Sequence, residues 1–137
     1  MLRRLSDLTK ACWRREFATN RHLYLDVHQD AVRQFSDPNF DVFCGATMLI
    51  VICDRRGAAF GAADCWLTAE NLILAASALG LGSGCVGAAA AALNSLEMRR
   101  DLGIPPVVTA VAPVVIGVPL TPADDEESYE PDVLTWK

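Results

Sequence analysis

ADCWLTAENLILAASALGLGSGCVG, residues 63–87, is a long apolar run closed by a cluster of glycines. Between Ala62 and Leu79 the strongly polar positions are Asp64, Glu70 and Asn71. The run is longer than an ordinary strand and holds no proline, so it reads as one helix. Its apolar residues go almost all the way round, and such a helix is buried on all sides. Gly80 stands where a helix ends in the left-handed conformation that glycine adopts without strain. A chain of 137 residues holds one domain with a limited core. The expected solution is a helix packed partly against its twin, across the interface of a homodimer.

The elements on either side follow from periodicity. Thr47–Cys53 (TMLIVIC) is a continuous apolar run with β-branched residues, predicted to be a strand buried on both faces. Asp54–Gly57 (DRRG) is a turn. Upstream, Leu2–Phe17 reads as a helix with Leu5, Leu8 and Cys12 on one face. Tyr24, Val27, His28, Ala31, Val32 and Phe35 form the buried stripe of a second helix, with Asn20 as its cap, and Ser36-Asp37-Pro38-Asn39 ends it. Downstream, Asn94 and Glu97 have the spacing of a capping box, and Gly103 with Pro105 closes that helix. Val107–Val118 is rich in β-formers but contains Pro113, which predicts an edge strand, a bulge or two pieces. The tail from Thr121 is acidic, yet it finishes with Val133, Leu134 and Trp136, which are expected to dock on a surface. The order helix, helix, strand, helix, short strand, helix, strand belongs to an α+β or α/β class.

Composition narrows the function classes. Hydrophobic residues make up 52% of the chain and charged residues 21%, an apolar surplus that again favours a subunit interface. A membrane span needs about 20 uninterrupted apolar residues, and the polar positions at 64, 70 and 71 exclude the central helix. The net charge of −5 opposes nucleic-acid binding, although Arg3, Arg4, Arg14, Arg15 and Arg21 gather near the start. No signal-peptide pattern opens the sequence, so the expected compartment is the cytoplasm. The five cysteines, Cys12, Cys44, Cys53, Cys65 and Cys85, show no CxxC and no metal-ligand spacing. Cys85 lies in the glycine-rich turn, but a nucleophile needs a base, and His22 and His28 are far away in sequence.

Gly82, Gly84 and Gly87 satisfy GxGxxG. In a dinucleotide-binding fold that loop leaves a strand and opens a helix, whose amino terminus attracts the pyrophosphate. Here it leaves a helix and enters a strand, so the negative helix end faces the loop and opposes a phosphate. What the glycines do allow is close approach of a flat ligand to the backbone.

With its flanking strands Met48–Cys53 and Leu102–Pro119 (LGIPPVVTAVAPVVIGVP), the segment Ala63–Gly87 resembles the nitroreductase family over about residues 40–119. The resemblance implies a three-layer α/β/α arrangement within the α+β class, with a small, mostly antiparallel sheet beside a long buried central helix. It also implies an FMN-dependent homodimer that takes hydride from NAD(P)H and passes it to a small-molecule acceptor such as a nitroaromatic or a quinone. Val86, Gly87 and Ala88 match the strand end whose backbone lies against the flavin ring, with an N–H near the flavin N5, and Gly82 and Ser83 support that turn. The resemblance assigns no catalytic side chain and no metal. It begins after the arginine-rich segment with which family members grip the flavin phosphate. The expectation is therefore one domain over residues 1–137 without that grip. Asp124–Glu127 stands where many members carry a basic residue, and Arg55 and Arg56 are the possible substitutes. A flavin-poor relative acting as a binding or partner subunit, without redox activity of its own, is the alternative.

Overall fold

A computed structural model describes residues 1–19, 29–55 and 59–120. The elements are α1 (Leu2–Thr19), α2 (Gln29–Ser36), β1 (Met48–Arg55), α3 (Gly61–Ala78), β2 (Gly82–Cys85), a 3-10 turn (Gly87–Ala89), α4 (Ala90–Leu93), α5 (Leu96–Leu102) and β3 (Val108–Gly117). The order matches the sequence reading, with α4 as an addition. Asn20, Tyr24, Val27, both histidines, Arg56, the acidic run Asp124–Glu127 and the apolar end of the tail lie outside the described residues.

Among the described residues the sheet is antiparallel with the order β1-β3-β2. Its two faces carry separate cores. On one face Leu49, Val51, Cys53, Ala110 and Val115 meet Leu5 of α1, Leu93 of α4 and Met98 of α5. On the other, Ile52, Ala112, Val114 and Ile116 meet Cys65, Ala69, Leu72 and Ile73 of α3. These are the three layers, helices, sheet and helix, of an α+β fold. Val111 is an extra residue in β3, because Ile52 faces Ala112 while Cys53 faces Ala110. This bulge flips the alternation, so Ala110 before it and Val115 after it point to the same core.

Of the readings Pro113 offered, β3 shows the bulge, at Val111, and not the edge; among the described residues β3 is the central strand. The Pro113 carbonyl accepts from the N–H of Val86, just past the end of β2. An N–H at Pro113 would point the same way, toward the carbonyl of Val86. That carbonyl instead accepts from Ala89 at 2.9 Å. The proline therefore sits where the chain leaves the ladder, and no sheet hydrogen bond is lost.

The predicted burial of two elements is also corrected. β1 is packed on both faces, but its interior residues are half-buried and not fully buried; among the described residues β3 is its one sheet neighbour. In α3, Gly61, Cys65, Ala69 and Ala76 are buried against the sheet, while Leu67 and Leu74 on the outer face are 65% and 59% exposed. The apolar circumference seen in the sequence is thus half-satisfied by the chain's own described residues.

Candidate functional site

The glycine-rich segment is built from the end of α3 onward. Leu81 N–H bonds the Ala76 carbonyl and Gly80 N–H bonds that of Ser77, both at 2.9 Å. This is the Schellman closure, with Gly80 left-handed at φ 71°. The chain reverses into β2, where Gly82 faces Gly117 and Ser83 faces Ile116. The strand thus occupies the first half of the glycine cluster, earlier than the sequence reading placed it. The helix-to-strand order that argued against a phosphate loop is confirmed.

Val86, Gly87 and Ala88 come together in one turn after β2. Val86 is anchored in both directions, by its N–H to Pro113 and by its carbonyl to Ala89, and its side chain packs on the α1-side core. The Ala89–Val86 bond is the first of the 3-10 turn, so the N–H groups of Gly87 and Ala88 have no partner within it. Gly87 is exposed and Ala88 half-buried. Gly82 and Ser83 lie upstream on β2, so Ser83 is about 10 Å from Val86 along the chain. Together the five residues form one uncharged strip of small side chains, with the free donors at one end.

Two tryptophans flank this turn, and neither was singled out from the sequence. Trp13 on α1 donates its indole N–H to the Ala88 carbonyl at 2.9 Å. Trp66 on α3 lies on the other side; a Cβ on Gly87 would stand 3.7 Å from its Cη2. Both contacts are tertiary, and no local pattern announces them.

Among the described residues the buried polar side chains are engaged in holding the fold. Lys10, 4% exposed, donates to the carbonyls of Pro38 at 3.2 Å and Phe40 at 2.9 Å and pairs with Asp7 at 3.3 Å. It lines a cavity of about 350 Å³ with Ser6 and Asp41. Burial alone would raise the Asp41 carboxyl, but the N–H groups of Gly45 and Phe43, the Ser6 hydroxyl and Lys10 hold it below its ordinary value. A second cavity of about 640 Å³ lies beside Asn94, Arg99 and Pro105. Arg99 donates there to Asn94, Pro105 and Val108. Asn94 is not the cap of α5, as its spacing predicted. Ser95 caps, accepting from Met98 N–H at 3.2 Å, and Asn94 pairs with the Ala110 backbone.

Two of the thiols, Cys53 and Cys65, are pushed away from activation by their surroundings. Burial pushes the Cys65 thiol up, with Asp54, Cys53 and Asp64 adding to it, and burial raises Cys53 against the pull of Arg99. Among the described residues no group of histidine, cysteine and carboxylate side chains is placed to hold a metal. No helix among them is long and apolar enough to cross a membrane.

Residues 2–118 match the sequence pattern of the Nitroreductase family. The chain belongs to the nitroreductase family. Solved structures of similar fold agree with it. A nitroreductase with bound FMN from Bacteroides fragilis superposes with a TM-score of 0.74 at 17% identity, over 99% of this chain and 70% of its own. An FMN-dependent nitroreductase from Clostridium difficile gives 0.68 at 17% identity, over 98% and 73%. A nitroreductase with bound FMN from Desulfitobacterium hafniense gives 0.61 at 21% identity, over 93% and 71%. A comparison with curated protein sequences found no match. In this nitroreductase fold the 86–88 turn and the strip leading to it are the candidate site.

Proposed function

We propose that this nitroreductase-family chain is an FMN-dependent oxidoreductase that passes hydride from NAD(P)H to a nitro- or quinone-type acceptor, as a cytoplasmic homodimer joined through α3. The observation that carries the reading is the Gly87–Ala88 turn, whose two N–H groups have no partner among the described residues, on an uncharged surface where Gly87 is exposed and Ala88 half-buried. Donors fixed in this way suit the polar edge of a flat heterocycle. Bound flavin supplies the hydride chemistry. The chain's own part is to bind and orient. Val86 anchors the turn, Trp13 holds the Ala88 carbonyl, Gly82 and Ser83 extend the surface, and no side chain acts as acid or base.

The ring half of the cofactor fits these residues; the strip offers no cation for the phosphate half. Arg55 does not fill that role beside it. It faces Val108, whereas Cys85 faces Val114, about 20 Å further along β3. This uncharged surface is the specific support for the second reading, a flavin-poor relative acting as a partner subunit.

The dimer reading rests on the outer face of α3. Leu67 and Leu74 are exposed there, with Phe60 and Leu79 at the two ends. Burying apolar area stabilises association by about 25 cal/mol per Å² before entropic costs.

The test is anaerobic addition of NADH or NADPH to protein supplied with excess FMN. Bleaching of the flavin at a rate well above that of FMN alone, with recovery on adding a quinone, is the expected result. No acceleration by the protein would sink the enzyme reading and leave the partner-subunit reading standing.

A further inference from the structure

We infer that Trp66 is the aromatic wall of the ring site, so that a flat ligand held at the 86–88 turn stacks on its indole. The inference deepens the flavin reading and rests on it. Three observations converge. Trp66 follows Cys65, which is buried against the sheet, so the helical step of about 100° carries the indole to the flank of α3 facing the turn. There its Cη2 comes within 3.7 Å of where a Cβ on Gly87 would stand, and it remains 41% exposed. The described hydrogen bonds of the turn go elsewhere, to Pro113, to Ala89 and to Trp13. The indole is therefore not what holds the turn in place.

An exposed indole against a bare glycine backbone is a poor way to stabilise a fold and a good way to build a flat, apolar surface. Aromatic ligands stack in the offset arrangement such surfaces allow, and the gain depends on a π face and not on bulk alone. Trp13 cannot serve in the same way, since its ring packs against Phe17 and Phe35 and its N–H is engaged.

The experiment compares riboflavin binding by the full chain with binding by Trp66→Phe and Trp66→Leu, using flavin fluorescence quenching and the shift of the visible band. Both substitutions keep apolar bulk; thermal unfolding checks that both fold. W66L is expected to bind about three- to tenfold more weakly and to lose the band shift, while W66F keeps the shift and binds within about threefold of wild type. Riboflavin binding by W66L equal to or tighter than wild type overturns the inference, as does an equal loss in both variants. In either case the flavin reading stands. No riboflavin binding by the wild-type chain overturns both.

Discussion

Trp13 and Ala88 are joined by a 2.9 Å hydrogen bond from the indole N–H to the backbone carbonyl, which ties α1 to the turn that ends β2. The Trp13 ring is itself fixed, with centroids 5.3 Å from Phe17 and 5.7 Å from Phe35. One aromatic cluster therefore sets the orientation of the Ala88 peptide and of the neighbouring free donors. Trp13→Phe keeps a ring in the cluster and removes the donor. It is expected to lower unfolding stability by about 1 kcal/mol and to weaken flavin binding as well. Urea unfolding alongside a flavin titration checks both; unchanged binding would separate Trp13 from the site.

Asn94 takes the place of a strand neighbour at Ala110. β2 pairs with Val114–Gly117 and reaches no further along β3. Beyond it, Asn94 Nδ2 donates to the Ala110 carbonyl at 2.8 Å and its Oδ1 accepts from the Ala110 N–H at 3.0 Å. Asn94→Ala leaves both buried backbone groups without that partner. A loss of about 2–3 kcal/mol in denaturant unfolding is expected, well above the effect of trimming an exposed asparagine.

These residues show why parts of the chain were legible and others were not. Gly80 announced the end of α3 because its left-handed conformation is a local requirement, and the apolar run before it fixed the helix to within a residue. The same locality misled at Asn94 and left Pro113 open. Either Asn94 or Ser95 is a suitable cap by type, and the pairing of Asn94 with Ala110 across the fold left the role to Ser95. Pro113 announced an edge, a bulge or a break without choosing among them; β3 carries the bulge, at Val111, and the early end of β2 makes the proline acceptable in the centre. The ring strip was read through a resemblance, whereas Trp13 and Trp66 meet it through contacts between distant segments that no periodicity encodes.

Asp41 gives the fold an acid-sensitive contact. Its carboxylate accepts from Phe43 N–H at 3.1 Å and Gly45 N–H at 2.9 Å, fastening the loop that places Phe43 in the core. Its pKa is lowered on folding, so its contribution is fully present above the ordinary carboxylate value of about 4 and is lost as pH falls through the folded value. The stability gap between wild type and Asp41→Ala should be flat from about pH 5 to 8 and close below about pH 4. A gap that persists at low pH would assign the effect to packing.

The outer face of α3 makes a separate prediction. Leu74 is 59% exposed in the single chain, so Leu74→Asp places no charge in the core of a protomer. In a homodimer packed through α3 it buries an unpaired charge at the interface. The variant is expected to run as a folded monomer in light scattering at concentrations where wild type is a dimer. A wild-type monomer at those concentrations would contradict the dimer reading directly.

The central claim is that the backbone of the 86–88 turn receives a flavin ring, and Gly87→Val tests it most directly. A Cβ at Gly87 meets Trp66 at an ordinary 3.7 Å, so the first carbon of a side chain fits there, and the valine methyls thicken the surface the ring must approach. Titration of wild type and G87V with riboflavin and FMN, read by flavin fluorescence, is the measurement. The account predicts that wild type binds riboflavin and FMN within about tenfold of each other, since the strip lacks a phosphate partner, and that G87V melts like wild type but loses at least about tenfold in affinity for both. Folded G87V that binds flavin as well as wild type would contradict the claim, because the ring would then lie elsewhere on the protein.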